Sequence, residues 1–493
     1  MRPPPTVGDD LRGHVQSSGD TLRGAQVGNL RIRRGRRTSQ EITIRRPIVR
    51  QPRRPGVLLL IVGFVVLIVV GTALLMLPVA SESREGAPFL RALFTATSAV
   101  CVTGLAVIDT RDTWSAFGEA VIMLLIQFGG LGFMTSATLL LMVFGRRVSV
   151  SQRVTTGEVA GQLGAIPVQL LVRRIVLATL AIEAAGAAVL IGSFAVHDGA
   201  LGLEQIWRGL FTAVSAFNNA GFDIEGGGRS LTEYGSNPGV LGGAALLTFL
   251  GGIGYAVWSD AWRTRGWRRL QLNTKIVLST SAVIILVGAV VMLGSEAVAP
   301  GMLHDMPLAQ SVPVAIFESI YARTSGFTAF SLAEAHDETL LVLIALMFIG
   351  GASGSTAGGV KMNTFTVLFF TIIASVRGDE HVKAFNREIS WRQVNRALSV
   401  ALLSVAVVAF VTFMLAIMTD APFIVVLFEV VSAFATCGLS VNFTGTLDGM
   451  SQWLIIVTMF IGRLGPLTFA IAIAERFERH DRLRYAQGEI NIG

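Results

Sequence analysis

Long stretches without an ionisable side chain limit what this chain can fold into. Residues 56–80 and 120–145 contain no Asp, Glu, Lys, Arg or His. Because about 20 apolar residues cross the hydrocarbon core of a bilayer, each run is long enough to span a membrane. Similar runs, two of them interrupted by one charge, lie at 175–196, 237–259, 276–295, 339–360, 397–419 and 449–474. The pattern predicts eight spans and a multi-pass membrane protein.

Composition excludes an ordinary soluble protein. Only 15% of the 493 residues are charged and 52% are hydrophobic, whereas soluble globular proteins carry about 25% charged residues. The first apolar run begins at residue 56 and continues into the rest of the chain, so we do not expect a cleaved signal peptide. The two cysteines, Cys101 and Cys437, lack the spacing of a zinc site or a disulfide framework, and we expect them to be small apolar fillers.

The basic residues predict how the chain is oriented. The first 55 residues hold 13 arginines and 4 acidic residues, and their composition predicts a disordered tail. Such a tail could bind nucleic acid, but beside eight spans we expect it to meet anionic lipid or a cytoplasmic partner. Further arginines and lysines concentrate in alternate loops near 146–174, 263–275, 377–396 and 476–484. The positive-inside rule then places these loops and both termini in the cytoplasm.

Each intervening outer segment contains a second, shorter apolar stretch. The four stretches read "ALFTATSAVCVTGLAVI", "GLFTAVSAFNNAGF", "AIFESIYARTSGFTAF" and "VLFEVVSAFATCGLSV". They are too short to span and too apolar for solvated loops, which favours a helix that enters and leaves the membrane on one side. A shared glycine follows each helix, at Gly104, Gly221, Gly326 and Gly438, and the next span repeats as "FGGLG", "LGGIG", "IGGAS" and "IGRLG".

This repetition predicts an all-α polytopic membrane protein, with four span–re-entrant pore helix–span repeats arranged with pseudo-fourfold symmetry around a central ion pore. The expected parts are a tail at 1–55 and repeats at 56–145, 146–260, 261–376 and 377–493, the last with a cytoplasmic tail. Non-helical backbone at membrane depth must line a water-filled path or be buried in protein. Rings of its carbonyl oxygens can replace the hydration shell of K⁺, although a single glycine could equally serve close helix packing.

We therefore expect the four turns to form a selectivity filter that binds K⁺ through backbone carbonyls. The predicted filter residues are Val102, Thr103, Gly104, Asn219, Ala220, Gly221, Thr324, Ser325, Gly326, Thr436, Cys437 and Gly438. Their side chains differ widely while the glycine stays, as expected if the backbone binds the ion.

The stretch "FIGGASGSTAGGVKMN" at 348–363 interrupts the third repeat. It nearly matches a phosphate-binding loop, but Val360 stands where that motif requires lysine, and membrane spans flank it. We instead predict a broken span, with helices at 339–349 and 361–376 around a flexible piece at 350–360. This piece is interpreted as an intramembrane gate whose hydroxyl groups satisfy freed backbone groups. The predicted gate residues are Gly350, Gly351, Ser353, Gly354, Ser355, Thr356, Gly358, Gly359, Lys361 and Arg463.

These motifs resemble the Trk/Ktr/HKT superfamily of cation transporters, and most of all its KtrB-type membrane subunits. The resemblance rests on "TSAVCVTGL", "SAFNNAGF", "ARTSGFTAF", "SAFATCGLS", "GGASGSTAGGVK" and "GRLGPLTFA", and it covers residues 56–493. The ending "EINIG" is similar to the family's C terminus, which sits at a dimer interface.

The resemblance implies potassium uptake across the cell membrane by a homodimer with one pore per subunit. It also implies Na⁺ as an activator in several members, no covalently bound cofactor, and a cytoplasmic KtrA-type ring that carries the nucleotide. In the family, serine at the first filter glycine accompanies sodium preference, so Gly104 favours potassium. A sodium or ammonium transporter on the same scaffold is the alternative. An enzyme is not expected, because no paired carboxylates or histidine cluster share a span.

Charged residues within the apolar segments are costly, so each needs a role. Arg463 replaces the second glycine of its pair and is expected to face the cavity below the filter. A snorkelling or ion-paired arginine is the alternative, and the same choice holds for Lys361. Arg323 is interpreted as tying down the pore-helix ends, with Glu318 and Glu429 as candidate partners.

Three other acidic residues have a structural or an electrostatic interpretation. Glu183 in the third span has no evident partner, which favours a packing or interfacial role. Asp223 and Glu225 follow the second filter turn. They either concentrate cations at the pore mouth or are ordinary solvated acids.

Overall fold

Helices make up most of the described chain, which in this computed structural model comprises residues 55–131, 168–298, 303 and 306–465. The arginine-rich tail, the loop arginines between 146 and 153, and the C-terminal tail with its "EINIG" ending lie outside the described residues. The predictions that concern those segments, including the two cytoplasmic tails, therefore fall outside the residues that the structure describes.

Fifteen α-helices are found in the described residues. The helices before residue 270 are α1 (Pro55–Leu75), α2 (Phe89–Cys101), α3 (Thr110–Thr113), α4 (Ala116–Gly130), α5 (Val168–Asp198), α6 (Leu203–Asn218), α7 (Pro238–Ile253) and α8 (Tyr255–Thr264). Those after it are α9 (Leu272–Val298), α10 (Leu308–Thr324), α11 (Asp337–Phe348), α12 (Met362–Arg377), α13 (Trp391–Met418), α14 (Phe423–Ala435) and α15 (Gly449–Leu464). A small antiparallel hairpin, β1 (Lys383–Ala384) and β2 (Arg387–Glu388), links α12 to α13.

Three described helices, α5, α9 and α13, are each long and apolar enough to cross a membrane. The pair α7 and α8 makes a fourth if it counts as one span, but the chain bends by 94° between them. The run at 237–259 was predicted to be one of the eight spans, and the structure divides it at this bend. Gly254, with a φ of +78°, interrupts the helix in a conformation that glycine adopts without a steric penalty.

Burial separates the short apolar helices from the long ones. Every residue from 92 to 101 in α2 and from 428 to 435 in α14 is buried. In contrast, α5, α9 and α13 expose apolar side chains such as Val189 (54%), Val283 (59%) and Leu402 (62%). Apolar surface of this extent suits contact with lipid. The two short helices α2 and α14 are therefore enclosed by other helices, whereas α5, α9 and α13 present apolar side chains outward.

Local sequence determines where several helices begin. The first N–H groups of a helix have no intrahelical partner, and side-chain oxygens satisfy them at the starts of α4, α7 and α15, from Ser115, Asn237 and Asp448. Proline directly precedes three of the short buried helices, at Pro88, Pro307 and Pro422.

Candidate functional site

Three of the four predicted filter turns begin in the same unusual conformation. Val102, Asn219 and Thr436 adopt the left-handed region, with φ values of 56°, 60° and 50°. Each directly follows its helix and stands two residues before the shared glycine. The left-handed conformation costs a non-glycine residue about 1–2 kcal/mol and persists only where the surroundings impose it. Packing around these turns therefore ends α2, α6 and α14 at equivalent points.

The third turn differs from the other three. Ser325 adopts a right-handed helical conformation, and its N–H donates to the Tyr321 carbonyl at 2.9 Å. That bond continues the helical pattern, so Thr324, predicted as a turn residue, is instead the last residue of α10. Gly326 follows with a φ of +70°, which restores the conformation of the other glycines.

The four shared glycines bring the turns together in a closed ring. Their φ values are 91°, 71°, 70° and 102° in chain order. A Cβ added to each would lie closer than 3.0 Å to a backbone carbonyl oxygen of the next turn: Gly104 to Ala220, Gly221 to Ser325, Gly326 to Cys437, and Gly438 to Thr103. The contacts run from the first turn to the fourth and back to the first. Glycine is therefore required both by its positive φ and by its missing side chain.

Side chains behind the ring hold the turns in place. The Ser98 hydroxyl accepts the Gly104 N–H, and the Ser432 hydroxyl accepts the Gly438 N–H, both at 3.1 Å. The Cys437 thiol donates to the Ala322 carbonyl at 3.1 Å. Cys437 is thus more than the small filler that the sequence suggested, because it links the fourth turn to α10.

The two pore-helix glutamates bind the loops that follow the turns. Glu318, fully buried, accepts the Ala329 N–H at 3.0 Å. Glu429, also fully buried, accepts the Ser440 hydroxyl at 2.9 Å. No ion pair joins either glutamate to Arg323 in the described chain. The predicted pairing with Arg323 is therefore wrong, since the carboxylates bind the loops that follow the third and fourth turns.

Three of the four glycine motifs in the following helices pack against the ends of the preceding short helices. A Cβ on Gly129, Gly251 or Gly462 would lie closer than 3.0 Å to the carbonyl oxygens of Val100, Phe217 and Phe434, respectively. Each of these carbonyls belongs to the residue four positions before the filter glycine of the same repeat. Gly350 is the exception, because its close neighbour is the carbonyl of Gly358 within the predicted gate segment.

The predicted gate segment separates α11 from α12 and closes on itself. The Gly350 N–H donates to the Val360 carbonyl at 2.9 Å, and the Met362 N–H donates to the Gly351 carbonyl at 3.0 Å. Inside the loop, the Ser355 hydroxyl donates to the Ala352 carbonyl at 2.7 Å. The non-helical backbone thereby satisfies part of its hydrogen bonding without a helix, as membrane depth requires.

Other bonds dock the gate segment against the second repeat. The Ala352 N–H donates to the Gly252 carbonyl at 2.9 Å, and the Thr356 N–H donates to the Gly251 carbonyl at 3.3 Å. The Thr356 hydroxyl also donates to the Phe217 carbonyl at 3.2 Å, two residues before the second filter turn. The segment therefore lies directly beside the end of α6.

Asn363 connects the gate segment to α9, a contact that the motif did not predict. The Ser353 side chain is exposed, and its backbone N–H donates to the Asn363 side-chain oxygen at 3.0 Å. Asn363 in turn donates to the Asn273 side chain at 2.6 Å. Asn363 was not predicted as a gate residue, although a polar side chain at the start of an apolar run was a usable signal.

Both predicted cations lie against backbone carbonyls of the gate region. Arg463, only 9% exposed, donates to the Thr356 carbonyl at 2.5 Å and to the Gly129 carbonyl at 2.7 Å. Lys361 donates to the Ala357 carbonyl at 2.5 Å. Neither cation is ion-paired in the described chain. Arg463 thus connects the gate segment to the first glycine pair.

The acidic residues after the second turn have separate environments. Glu225 is paired with Arg208 at 2.5 Å, and Arg208 also pairs with Asp198 at 2.9 Å. Asp223 accepts the Glu225 N–H at 3.3 Å. Burial, with smaller contributions from the Glu225 and Asp109 charges, raises the pKa of Asp223 to about 7 despite that hydrogen bond. Asp223 therefore changes charge near neutral pH, and Arg208, which the sequence did not single out, neutralises Glu225.

A family model of known proteins matches most of the chain. The TrkH model, described as cation transport protein, matches residues 51–481. The chain belongs to the TrkH family. The superfamily assigned from the filter and gate motifs is thereby confirmed, and this TrkH-family chain is a helical, multi-pass membrane protein.

Individual relatives of the TrkH-family chain agree with the assignment. Ktr system potassium uptake protein B of Bacillus subtilis (strain 168) is 36% identical over 434 residues, covering 88% of this chain and 96% of the relative. The potassium/sodium uptake protein NtpJ of Enterococcus hirae is 32% identical over 457 residues, covering 92% and 100%. The crystal structure of the potassium transporter TrkH from Vibrio parahaemolyticus aligns with a TM-score of 0.67 at 18% identity, covering 88% of both chains. This last likeness shows a shared fold.

Proposed function

We propose that the chain takes up potassium across the cell membrane as the ion-translocating subunit of a Ktr-type system. The closed ring of four glycine turns at the ends of buried helices carries the proposal. Carbonyl oxygens of such turns can replace the hydration shell of K⁺. The name of the Bacillus subtilis relative, a potassium uptake protein, supports the same substrate.

The proposed architecture is four span–pore helix–span repeats with eight spans around a pseudo-fourfold axis. The pore helices are α2, α6, α10 and α14. Three of them are followed by the same left-handed turn, and three of the next helices place a glycine against the pore-helix end. The third repeat deviates in both respects, and it is the repeat that contains the gate segment.

Residues 350–360 are proposed to gate the pore below the filter. Support comes from the contacts of the segment with the base of the second turn through Thr356 and with the fourth turn through Gly358, which lies against the Thr436 side chain. Arg463 and Lys361 bind carbonyls of the segment from outside and from its own end. The buried apolar side chains of the segment, Ala352, Ala357 and Val360, are small, so its displacement exposes little apolar surface.

The proposed assembly is a homodimer with a cytoplasmic KtrA-type ring that binds the regulatory nucleotide. The word "system" in the names of relatives supports a multi-component transporter. Both termini are proposed to be cytoplasmic, and the arginine-rich first 55 residues to contact anionic lipid or the ring.

Sodium is the alternative substrate, because one relative is named a potassium/sodium uptake protein; ammonium is a further alternative on the same scaffold. The full chain in proteoliposomes separates these cases by ⁸⁶Rb⁺ uptake with K⁺, Na⁺ or NH₄⁺ as competitor. The proposal is supported if K⁺ inhibits ⁸⁶Rb⁺ uptake at a concentration well below the Na⁺ concentration that gives the same inhibition. Brisk ²²Na⁺ uptake without ⁸⁶Rb⁺ uptake would overturn it.

A further inference from the structure

A buried polar network joins three helices behind the second filter turn. Glu183 of α5 is 4% exposed and accepts one hydrogen bond on each carboxylate oxygen. Asn218 donates to it at 2.9 Å, and Gln127 of α4 donates to it at 3.0 Å. Asn218 also donates to the Gln127 side-chain oxygen at 3.0 Å. The partner that the sequence did not reveal for Glu183 is therefore this pair of amides.

The network is directly connected to a proposed ion-binding turn. Asn218 is the last residue of α6, and the next residue, Asn219, is the left-handed first residue of the second turn. The turn's own N–H groups bond back to helix α6. Rotation or translation of the Asn218 side chain would therefore move the backbone of the turn.

Gly130 makes room for this arrangement. A Cβ on Gly130 would lie closer than 3.0 Å to the Asn218 side chain. The second glycine of the first "GG" pair thus lets Asn218 reach Glu183, whereas the first glycine packs against the pore-helix backbone. Two neighbouring glycines in the motif consequently have two different reasons to lack a side chain.

Equivalent positions in the other repeats cannot make the same anchor. The residues three before the filter glycine are Cys101, Arg323 and Ala435. Ala435 has no polar side-chain atom, and two guanidinium nitrogens of Arg323 have no hydrogen-bond partner within the described chain. Burial of a carboxylate at membrane depth costs free energy. The presence of Glu183 therefore calls for a role that offsets this cost.

We propose that Glu183 is a positioning residue for the second filter turn and thereby a determinant of ion selectivity. The inference rests on the proposed potassium filter. Glu183 acts through its hydrogen bond to Asn218, which holds the end of α6 and keeps the carbonyls of Asn219 and Ala220 at the separation that suits K⁺. Without that bond the turn relaxes, and the smaller Na⁺ is discriminated against less strongly.

The test compares K⁺ and Na⁺ competition against ⁸⁶Rb⁺ uptake by the full chain in proteoliposomes. Glu183→Leu removes both acceptors, whereas Glu183→Gln retains an acceptor for Asn218 and loses the charge and the acceptor for Gln127. We expect Glu183→Leu to lower the K⁺/Na⁺ ratio about tenfold, which corresponds to about 1.4 kcal/mol and is the size of one net hydrogen bond. Glu183→Gln should stay close to wild type.

Glu296→Leu is the matched control. Glu296 is fully buried in α9 and accepts the Thr339 hydroxyl at 2.5 Å, at the end of α11 remote from the gate segment. Its replacement should lower thermal stability as Glu183→Leu does while leaving the K⁺/Na⁺ ratio unchanged. If Glu183→Leu does not assemble, Asn218→Ala breaks the same bond from the pore helix and should show the same selectivity loss.

The outcomes are distinct. Wild-type selectivity in a well-assembled Glu183→Leu or Asn218→Ala variant overturns the positioning role. Equal losses in Glu183→Gln and Glu183→Leu overturn it too, because a retained acceptor for Asn218 would then not preserve selectivity. In the double variant, no loss beyond that of the single variants is expected, since both remove one bond. A wild-type chain that fails to prefer K⁺ over Na⁺ refutes the proposed function instead.

Discussion

Removal of the Arg463 side chain should release the gate segment. Of its two hydrogen bonds, the one to Thr356 crosses from α15 to the gate segment, and the one to Gly129 stays on the α4 side. Displacement of the segment breaks only the first. Arg463→Ala should therefore raise potassium flux, because the displaced state becomes easier to reach.

The size of the effect follows from that single crossing bond. A hydrogen bond to a charged group contributes about 1.5–3 kcal/mol. Since about 1.4 kcal/mol is tenfold in an equilibrium constant, the population of displaced segment should rise by roughly 10- to 100-fold. The bond to Gly129 is the same in both states and does not enter this difference, although its loss lowers overall stability.

The assay is ⁸⁶Rb⁺ uptake into proteoliposomes at equal protein incorporation, without a regulatory partner. Arg463→Lys and Arg463→Gln accompany Arg463→Ala. Lysine keeps the charge, but its single ammonium cannot span two carbonyls as the planar guanidinium does. If Arg463 acts as a tether, that is, by its hydrogen bond to the gate segment, flux should increase in all three variants. An electrostatic barrier predicts increased flux only in the two neutral variants.

Unchanged or reduced flux in a monodisperse Arg463→Ala variant with wild-type incorporation refutes the tether. A further check combines Arg463→Ala with a shortened gate segment lacking 352–358. If Arg463 acts through this segment, the combined variant should conduct no better than the shortened one.

The remaining predictions concern the proposed filter, the proposed gate segment, and Asp223 at the proposed pore mouth. Gly104→Ser should lower the K⁺/Na⁺ ratio about tenfold in uptake competition, because strain at positive φ amounts to about 1–3 kcal/mol; Gly63→Ser, where an added Cβ meets nothing within 4 Å, should not. Deletion of 352–358 should raise ⁸⁶Rb⁺ flux and weaken regulation, and a folded but slower deletion variant argues against a gate. With a pKa of about 7, Asp223 is mostly charged above that value and loses its charge below it. Acidification of the outer solution from about pH 8 to pH 6 should therefore raise the apparent KM for K⁺, and Asp223→Asn should abolish this pH dependence.

Much of the site could be predicted from local patterns. The glycines of the four turns were found because each turn needs a residue that combines a positive φ with room for a neighbouring backbone. Only glycine provides both, so glycine stands at the same place after each short helix. The non-helical segment before α12 was found because a span with clustered glycines and hydroxyl groups is not a continuous helix. The extra residue of α10 was missed, since Thr324 and the turn residues of the other repeats do not differ in any way that favours helix.

Partners across the protein could not be predicted. Arg463 was recognised as unusual, but no pattern identifies backbone carbonyls at Thr356 and Gly129 as its acceptors. The same holds for Glu183 with Gln127 and Asn218. Every residue has a backbone carbonyl, and the chain has many amide side chains that could donate to a carboxylate. Because neither kind of partner carries an opposite charge, the sequence does not show which one is used.

The sequence by itself determined the membrane class, the family, the glycine turns and the broken helix, because apolar length, repetition and backbone conformation are properties of neighbouring residues. Only the tertiary structure decided that the glycine of each turn packs on the next turn until the ring closes. It also decided that the buried carboxylates brace loops and amides instead of pairing with Arg323. Such contacts depend on the distance between atoms far apart in the chain, and that distance exists only once the helices have packed.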